Sequence, residues 1–317
     1  MYDCITIGDI KLDTFVEILD AKVKGDRLCL EYGKKIPARI TSTQIAGSAP
    51  NVATALAKMK LKTAVFSVMG KDRTYELARA QMIKKNIDTH YIQTTAKMNS
   101  SSSIVINFKG EKTILASAEP FKYRLPKFEK TNWIYICELG RNYKELYSEL
   151  IRKVSADHVH IAMNPGAHQI DERDEILYKM MKTTTLLFLN VEEARHLTRT
   201  NKTVPIKRLL LNSWKLNNKN IIVTDGKKGA YGYDGHTSFY LPMFPGKRVE
   251  ATGAGDSFAA ATLAGKMKGM TLAEAMALGA VNSASVVGFI GPTAGLLSET
   301  EIKKRLQKHP SFKAEII

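Results

Sequence analysis

Glu250-Ala251-Thr252-Gly253-Ala254-Gly255-Asp256-Ser257-Phe258, followed at once by Ala259-Ala260-Ala261-Thr262-Leu263-Ala264-Gly265, is the stretch on which the reading of this chain turns. Gly253-Ala254-Gly255 carries almost no side-chain bulk, so consecutive backbone N–H groups can approach a ligand closely. The alanine-rich run behind it predicts a helix, and a helix N-terminus favours an anion. Together they describe an anion cradle. Asp256 falls in the first turn of that helix, where a carboxylate complements the helix dipole; it reads equally as a capping group or as a functional one. Neither G-x-x-x-x-G-K-[ST] nor G-x-G-x-x-G occurs in the chain, so a nucleotide would have to be held by another device.

Outward from this segment, short apolar runs alternate with longer helical patterns. CITIGDI near the start, TAVFSVMG, WIYICEL, HVHIAMNP, LLFLNVEEA and IIVTDG read as strands. Asn51 to Met59, Arg73 to Lys85, Tyr143 to Val154, Glu192 to Thr198 and Ile206 to Leu216 read as the helices between them. Such alternation implies an α/β fold, a mainly parallel sheet flanked by helices. Two stretches break the rhythm: residues 13 to 45, with TFVEI, RLCLEY and ARITSTQI, and residues 102 to 117, SSIVINFKGEKTILAS, two strands around Lys109-Gly110-Glu111. These predict a small antiparallel sheet inserted into the body. Both insertions follow body strands, so the small sheet is expected over the carboxyl ends of the main sheet, as a lid where open α/β folds bind ligands. Residues 1–317 read as one domain with that lid.

Composition narrows the class. An apolar fraction of 44% with 25% charged residues spread along the length is that of a soluble globular chain. Three dispersed cysteines, Cys4, Cys29 and Cys137, form no C-x-x-C pair and suit a reducing compartment. With no signal-like N-terminus and no long apolar run, the expectation is a cytoplasmic protein without membrane attachment. The net charge of +16 invites a nucleic-acid reading. The lysines are scattered among acids, however, so specific nucleic-acid binding is not expected; the positive field favours anionic ligands generally. Asp157-His158-Val159-His160 places two histidines on one strand face, but no third ligand is suggestively spaced for a metal.

At Thr252-Gly253-Ala254-Gly255-Asp256-x-Phe258 the sequence resembles the ribokinase-like (PfkB) carbohydrate kinase family, whose signature reads approximately D-T-x-G-A-G-D-x-F. Further segments arrive in the family's order: Gly8-Asp9-Ile10-Lys11-Leu12-Asp13, Ala46-Gly47-Ser48-Ala49-Pro50-Asn51, Asn164-Pro165-Gly166, Asn190-Val191-Glu192-Glu193, and Val223 through Ala230. The resemblance spans nearly the whole chain. It implies an ATP- and magnesium-dependent kinase acting on a hydroxyl of a small sugar, with Asp256 as the base and the N–H groups of Gly253, Ala254 and Gly255 around the transferring phosphoryl group. Asp13, Gly47, Asn51 and Glu138 would hold the acceptor. Glu193 and Asn190 would position magnesium, and Asn190, Thr224, Gly226, Gly229 and Asn282 the nucleotide. Glu250 and Ala251 replace the family's usual Asp and Thr in a stretch that contributes a K⁺ site in several members. A homodimer through the lid is a further expectation.

Two other functions fit parts of this pattern. A nucleoside kinase uses the same family apparatus, since a ribose ring presents similar hydroxyls. A non-catalytic nucleotide or nucleic-acid binder would use the fold and the basic surface, but mere binding does not require the carboxylate at Asp256.

Overall fold

The computed structural model describes residues 1–317 apart from Asp26, Lys109 and Gly110, with the backbone alone described for Lys112 and residues 155–157. The turn expected at Lys109-Gly110 therefore lies outside the described residues.

Among the described residues seven strands run parallel through the centre, in the spatial order Ile87–Asp88, Thr63–Gly70, Tyr2–Ile7, Thr131–Ile136, His160–Met163, Leu186–Asn190 and Asn220–Thr224. Ala230–Tyr233, Ser238–Leu241 and Glu315–Ile316 extend one edge antiparallel, and Ile92–Thr95 pairs alongside Thr63–Gly70. The apolar runs have a simple origin in this arrangement: both sheet faces are covered. Trp133, Tyr135 and Cys137 pack to one side and Ile134 and Ile136 to the other, so beyond the exposed Asn132 at its start the strand is buried on both faces and period-two polarity is lost. Helices Ser48–Lys58, Arg73–Lys84, Ala254–Met267 and Leu272–Val286 cover one face; Tyr143–Asp157, Glu175–Thr183, Val191–Thr198 and Ile206–Trp214 cover the other. The helices Ala167–Glu172 and Glu175–Thr183 were not anticipated. They are short, and the first carries no side-chain cap.

The lid is a four-stranded sheet in the order Glu111–Ser117, Ser102–Phe108, Lys11–Ile18, Ala38–Ala46. Its two outer pairings are antiparallel, as expected, and the middle one, Lys11–Ile18 with Ser102–Phe108, is parallel. RLCLEY contributes only Arg27–Cys29, to a separate two-stranded ribbon with Lys22–Lys24. His158 is the left-handed cap of a helix and lies outside the strand His160–Met163, so the two histidines do not share a strand face.

The first strand, Tyr2–Ile7, lies between Thr63–Gly70 and Thr131–Ile136. The chain thus winds outward in one direction and then restarts on the other side, and the crevice opens at the carboxyl ends where the order reverses. Gly8, Glu138, Asn164, Asn190 and Thr224 all stand at or just beyond those ends.

Candidate active site

Asp256 lies in the first turn of the helix Ala254–Met267, half-buried in the crevice. Asn51 Nδ2 donates to its Oδ2 at 2.8 Å. A second hydrogen bond comes from the Ser48 side chain. Both donors come from the first turn of the helix Ser48–Lys58, and Gly47 caps that helix with φ 118°. A Cβ at Gly47 would stand 2.2 Å from the Asp9 carbonyl oxygen. Only glycine lets the helix start this close to the end of the first strand. Desolvation pushes the Asp256 carboxyl above its ordinary range, and the bonds from Asn51 and Ser48 oppose the shift. Asp256 is not a capping group: the cap position is Gly253, with no side-chain cap bond.

The expected cradle is only partly formed by free-standing N–H groups. That of Ala254 turns back on the Ala251 carbonyl at 3.1 Å. Gly253 adopts φ 77°, and a Cβ there would fall 2.5 Å from Pro292 Cα; its small size answers a loop packed against it. Gly255 has nothing within 4 Å of its Cβ position and lines the neighbouring cleft.

On one side of Asp256 lies a group of polar residues from the lid and the strand ends. Lys11 Nζ pairs with Glu138 Oε2 at 3.1 Å. Asp13 pairs in register with Gln44 on one side and Ser103 on the other, so the three side chains form one row on the same face of the lid. The Ser103 side chain hydrogen-bonds the Asp13 carboxylate, whose Oδ1 is buried without a partner. Desolvation raises the Asp13 carboxyl, against the pull of Lys11. Beneath them Tyr123 donates its hydroxyl to Asp9 Oδ1, and Gly140 N–H donates to the Tyr123 oxygen at 2.8 Å. Burial lifts Asp9 to about 7. The structure therefore brings Asp13, Gly47, Asn51, Glu138 and Asp256 to one place. It adds Lys11, Gln44, Ser48, Ser103 and Tyr123, which the sequence reading missed. Lys11 and Ser48 sit inside the quoted motifs; Tyr123 carries no local signal.

On the other side of Asp256 a cleft of about 470 Å³ is lined by Asn190, Thr224, Gly226, Gly229 and Gly255, with Met243, Phe244, Ala280, Ala284 and Val287 as apolar walls. Arg248 lines it too and was missed. Gly229 is needed at φ 91°, where a Cβ would meet the Leu241 carbonyl at 2.1 Å. Asn282 does not border this cleft and is a correction to the sequence reading. It is fully buried, donating to the Ser257 carbonyl at 2.9 Å and accepting from Leu297 N–H at 3.0 Å. Ala280, Ser283, Ala284 and Val287 present the cleft-facing side of that helix, and residue 282 is about 100° out of phase with 283.

Glu193 and Asn190 form a reciprocal capping box: Glu193 N–H donates to Asn190 Oδ1 at 2.8 Å and Asn190 N–H to Glu193 Oε2 at 2.9 Å. Desolvation raises the Glu193 carboxyl, offset by the Asn190 N–H and the Asn164 side chain. Among the described residues no cluster of three or more acidic, histidine or cysteine side chains could cage a metal. The Glu250 carboxylate accepts from the Thr252 hydroxyl and from Gly291 N–H.

Comparison with known proteins finds relatives along nearly the whole chain. Residues 13–299 match the model of the pfkB family carbohydrate kinases. A cytidine kinase of Thermococcus kodakarensis is 23% identical over 88% of this chain and 94% of its own length. A nucleoside kinase of Methanocaldococcus jannaschii is 23% identical over 87% and 92%. Among solved structures, Arabidopsis thaliana ribokinase complexed with ribose and ATP superposes with a TM-score of 0.82 at 18% identity, covering 96% of this chain and 99% of that one.

Proposed function

The chain belongs to the pfkB family of carbohydrate kinases, and on that premise we propose that it is an ATP-dependent phosphotransferase acting on a hydroxyl of a small sugar or a nucleoside. One observation carries the reading: a single carboxylate, Asp256, stands between the polar residues of the small sheet and strand ends and a cleft with apolar walls that several glycines also line. The first suits a polyhydroxylated acceptor and the second an adenine nucleotide.

Asp256 accepts the proton of the acceptor hydroxyl as that oxygen attacks the γ-phosphorus, and Asn51 and Ser48 aim the carboxylate and favour its ionised form against burial. The orphaned Asp13 Oδ1 receives an acceptor hydroxyl, and Glu138 is held for a second by Lys11. Gly255 and Arg248 face the phosphates. The lid excludes water, which would otherwise take the phosphoryl group.

Magnesium fits the donor set only if the nucleotide carries most of its ligands. Glu193 has one oxygen in the capping box, and a single carboxylate with Asn190 is adequate when phosphates and waters complete the shell. When bound, the ion neutralises phosphate charge. Exposed Ile40, Ile104 and Leu115 on the outer side of the lid support a homodimer formed there. Among the described residues no helix is long and apolar enough to cross a membrane; a cytoplasmic location is proposed with the rest.

The test is ATP consumption against a panel of sugars and nucleosides by the wild type and by Asp256→Asn. Turnover should fall about 10²- to 10⁴-fold in the variant with ATP binding kept. Near-normal turnover removes Asp256 from the chemistry.

A further inference from the structure

The acceptor pocket carries a charge opposite to that of the protein around it. The chain is +16 overall, yet the carboxylates of Asp13, Glu138 and Asp256 converge on the place where the acceptor must lie. Among the described residues the one cation to which these carboxylates are coupled is Lys11. That ammonium already lies 3.1 Å from Glu138.

Hydrogen-bonding capacity points the same way. Ionised carboxylates accept and cannot donate, so this carboxylate set offers acceptors to whatever enters. Hydroxyl groups match it, because each brings a proton to a waiting oxygen such as Asp13 Oδ1. The oxygens of a phosphate or carboxylate on the acceptor would instead meet carboxylate oxygens, like against like. They would need a compensating cation, and the charge of the Lys11 ammonium is already drawn to Glu138 at 3.1 Å. The positive field outside the pocket draws ATP, the anionic substrate, and gives the acceptor no such help.

Resting on the kinase reading above, we infer that the acceptor is an uncharged polyol, either a free sugar or a nucleoside, and that the site rejects acceptors that already carry a phosphate or carboxylate. The discriminating element is the carboxylate set with Lys11 held by Glu138; breaking that pair releases the one cation that could receive an anion.

The experiment measures kcat/KM for ATP consumption on matched pairs: ribose and ribose 5-phosphate, fructose and fructose 6-phosphate, glucose and gluconate, cytidine and cytidine monophosphate, with ATP binding followed separately. The uncharged member of every pair that is used should lead by at least about 100-fold, the order of cost for unrelieved like-charge contact. The sugar and nucleoside arms distinguish the two sources of the polyol. Glu138→Gln, which leaves Lys11 unpaired, should narrow the ratio by about 10-fold or more whatever it does to absolute rate. Asp13→Asn should narrow it in the same direction and serves if Glu138→Gln folds poorly. Equal or better use of a phosphorylated member, or an unchanged ratio in both variants, overturns the inference and leaves the kinase reading intact. Consumption with no member of any pair, while ATP still binds, overturns the kinase reading and the inference with it.

Discussion

Asn51→Leu tests whether the geometry around Asp256 works as described. The substitution keeps the approximate volume and the helix but removes the amide that donates to Asp256 Oδ2 at 2.8 Å, a distance at the strong end for a bond to a charged oxygen. Such a bond stabilises the carboxylate by about 1.5 to 3 kcal/mol. Its loss raises the proton affinity of Asp256. The sign is fixed: the lost donor favoured the ionised form, so the variant holds its proton to higher pH. The base is then unavailable where the wild type is active, and the rate recovers as pH rises. The assay is kcat/KM for the acceptor as a function of pH, beside ATP affinity by direct binding. The acid limb should move upward with ATP affinity nearly unchanged. A limb that stays in place would refute the view that Asn51 sets the ionisation of Asp256, and a loss of rate equal at all pH values would reduce its role to orientation.

Glu193→Gln separates two roles of one side chain. Glutamine preserves the capping box, so thermal stability should be nearly retained, while the magnesium concentration for half-maximal rate should rise about 10-fold or more; an unmoved magnesium titration takes Glu193 out of the metal site. Asn282→Ala leaves the Ser257 carbonyl and the Leu297 N–H unpaired in a buried place, at about 1 to 3 kcal/mol each. Denaturant midpoints should fall with ATP affinity unchanged, and weakened ATP binding in a fully stable variant would return Asn282 to the nucleotide cleft. Gly47→Ala forces a Cβ to 2.2 Å from the Asp9 carbonyl at φ 118°, strain of at least about 1 to 3 kcal/mol. Lowered stability together with a raised acceptor KM is expected, and wild-type behaviour on both would show that the helix start can shift freely.

The legible part of this protein is the part encoded locally. TAVFSVMG and WIYICEL are continuous apolar runs because each strand is buried on both faces, and that burial writes itself into consecutive residues. Asp13, Gly47, Asn51 and Asp256 could be named because each lies within a short motif. The assignment of Asn282 failed for a different reason. Its polarity was visible, but its direction depends on the rotational phase of a helix whose two long faces are both packed, where no polar stripe marks the cleft side.

What the sequence by itself determined is the layered α/β architecture, the small inserted sheet and the motifs in which the carboxylates stand, since periodicity, glycine placement and motif order are properties of neighbouring residues. Only the tertiary structure decided what those carboxylates face. The bond between Asn51 and Asp256 joins residues 205 apart, the Lys11–Glu138 pair spans 127, and Tyr123 reaches Asp9 across 114. The alignment of Asp13 with Gln44 and Ser103 depends on lid register, including a parallel pairing that alternation alone does not specify. The electrostatics of the site follow from those long-range contacts. An overall charge of +16 therefore says nothing of a pocket that is locally negative: field at a site falls off with distance and burial, and composition counts every charge alike.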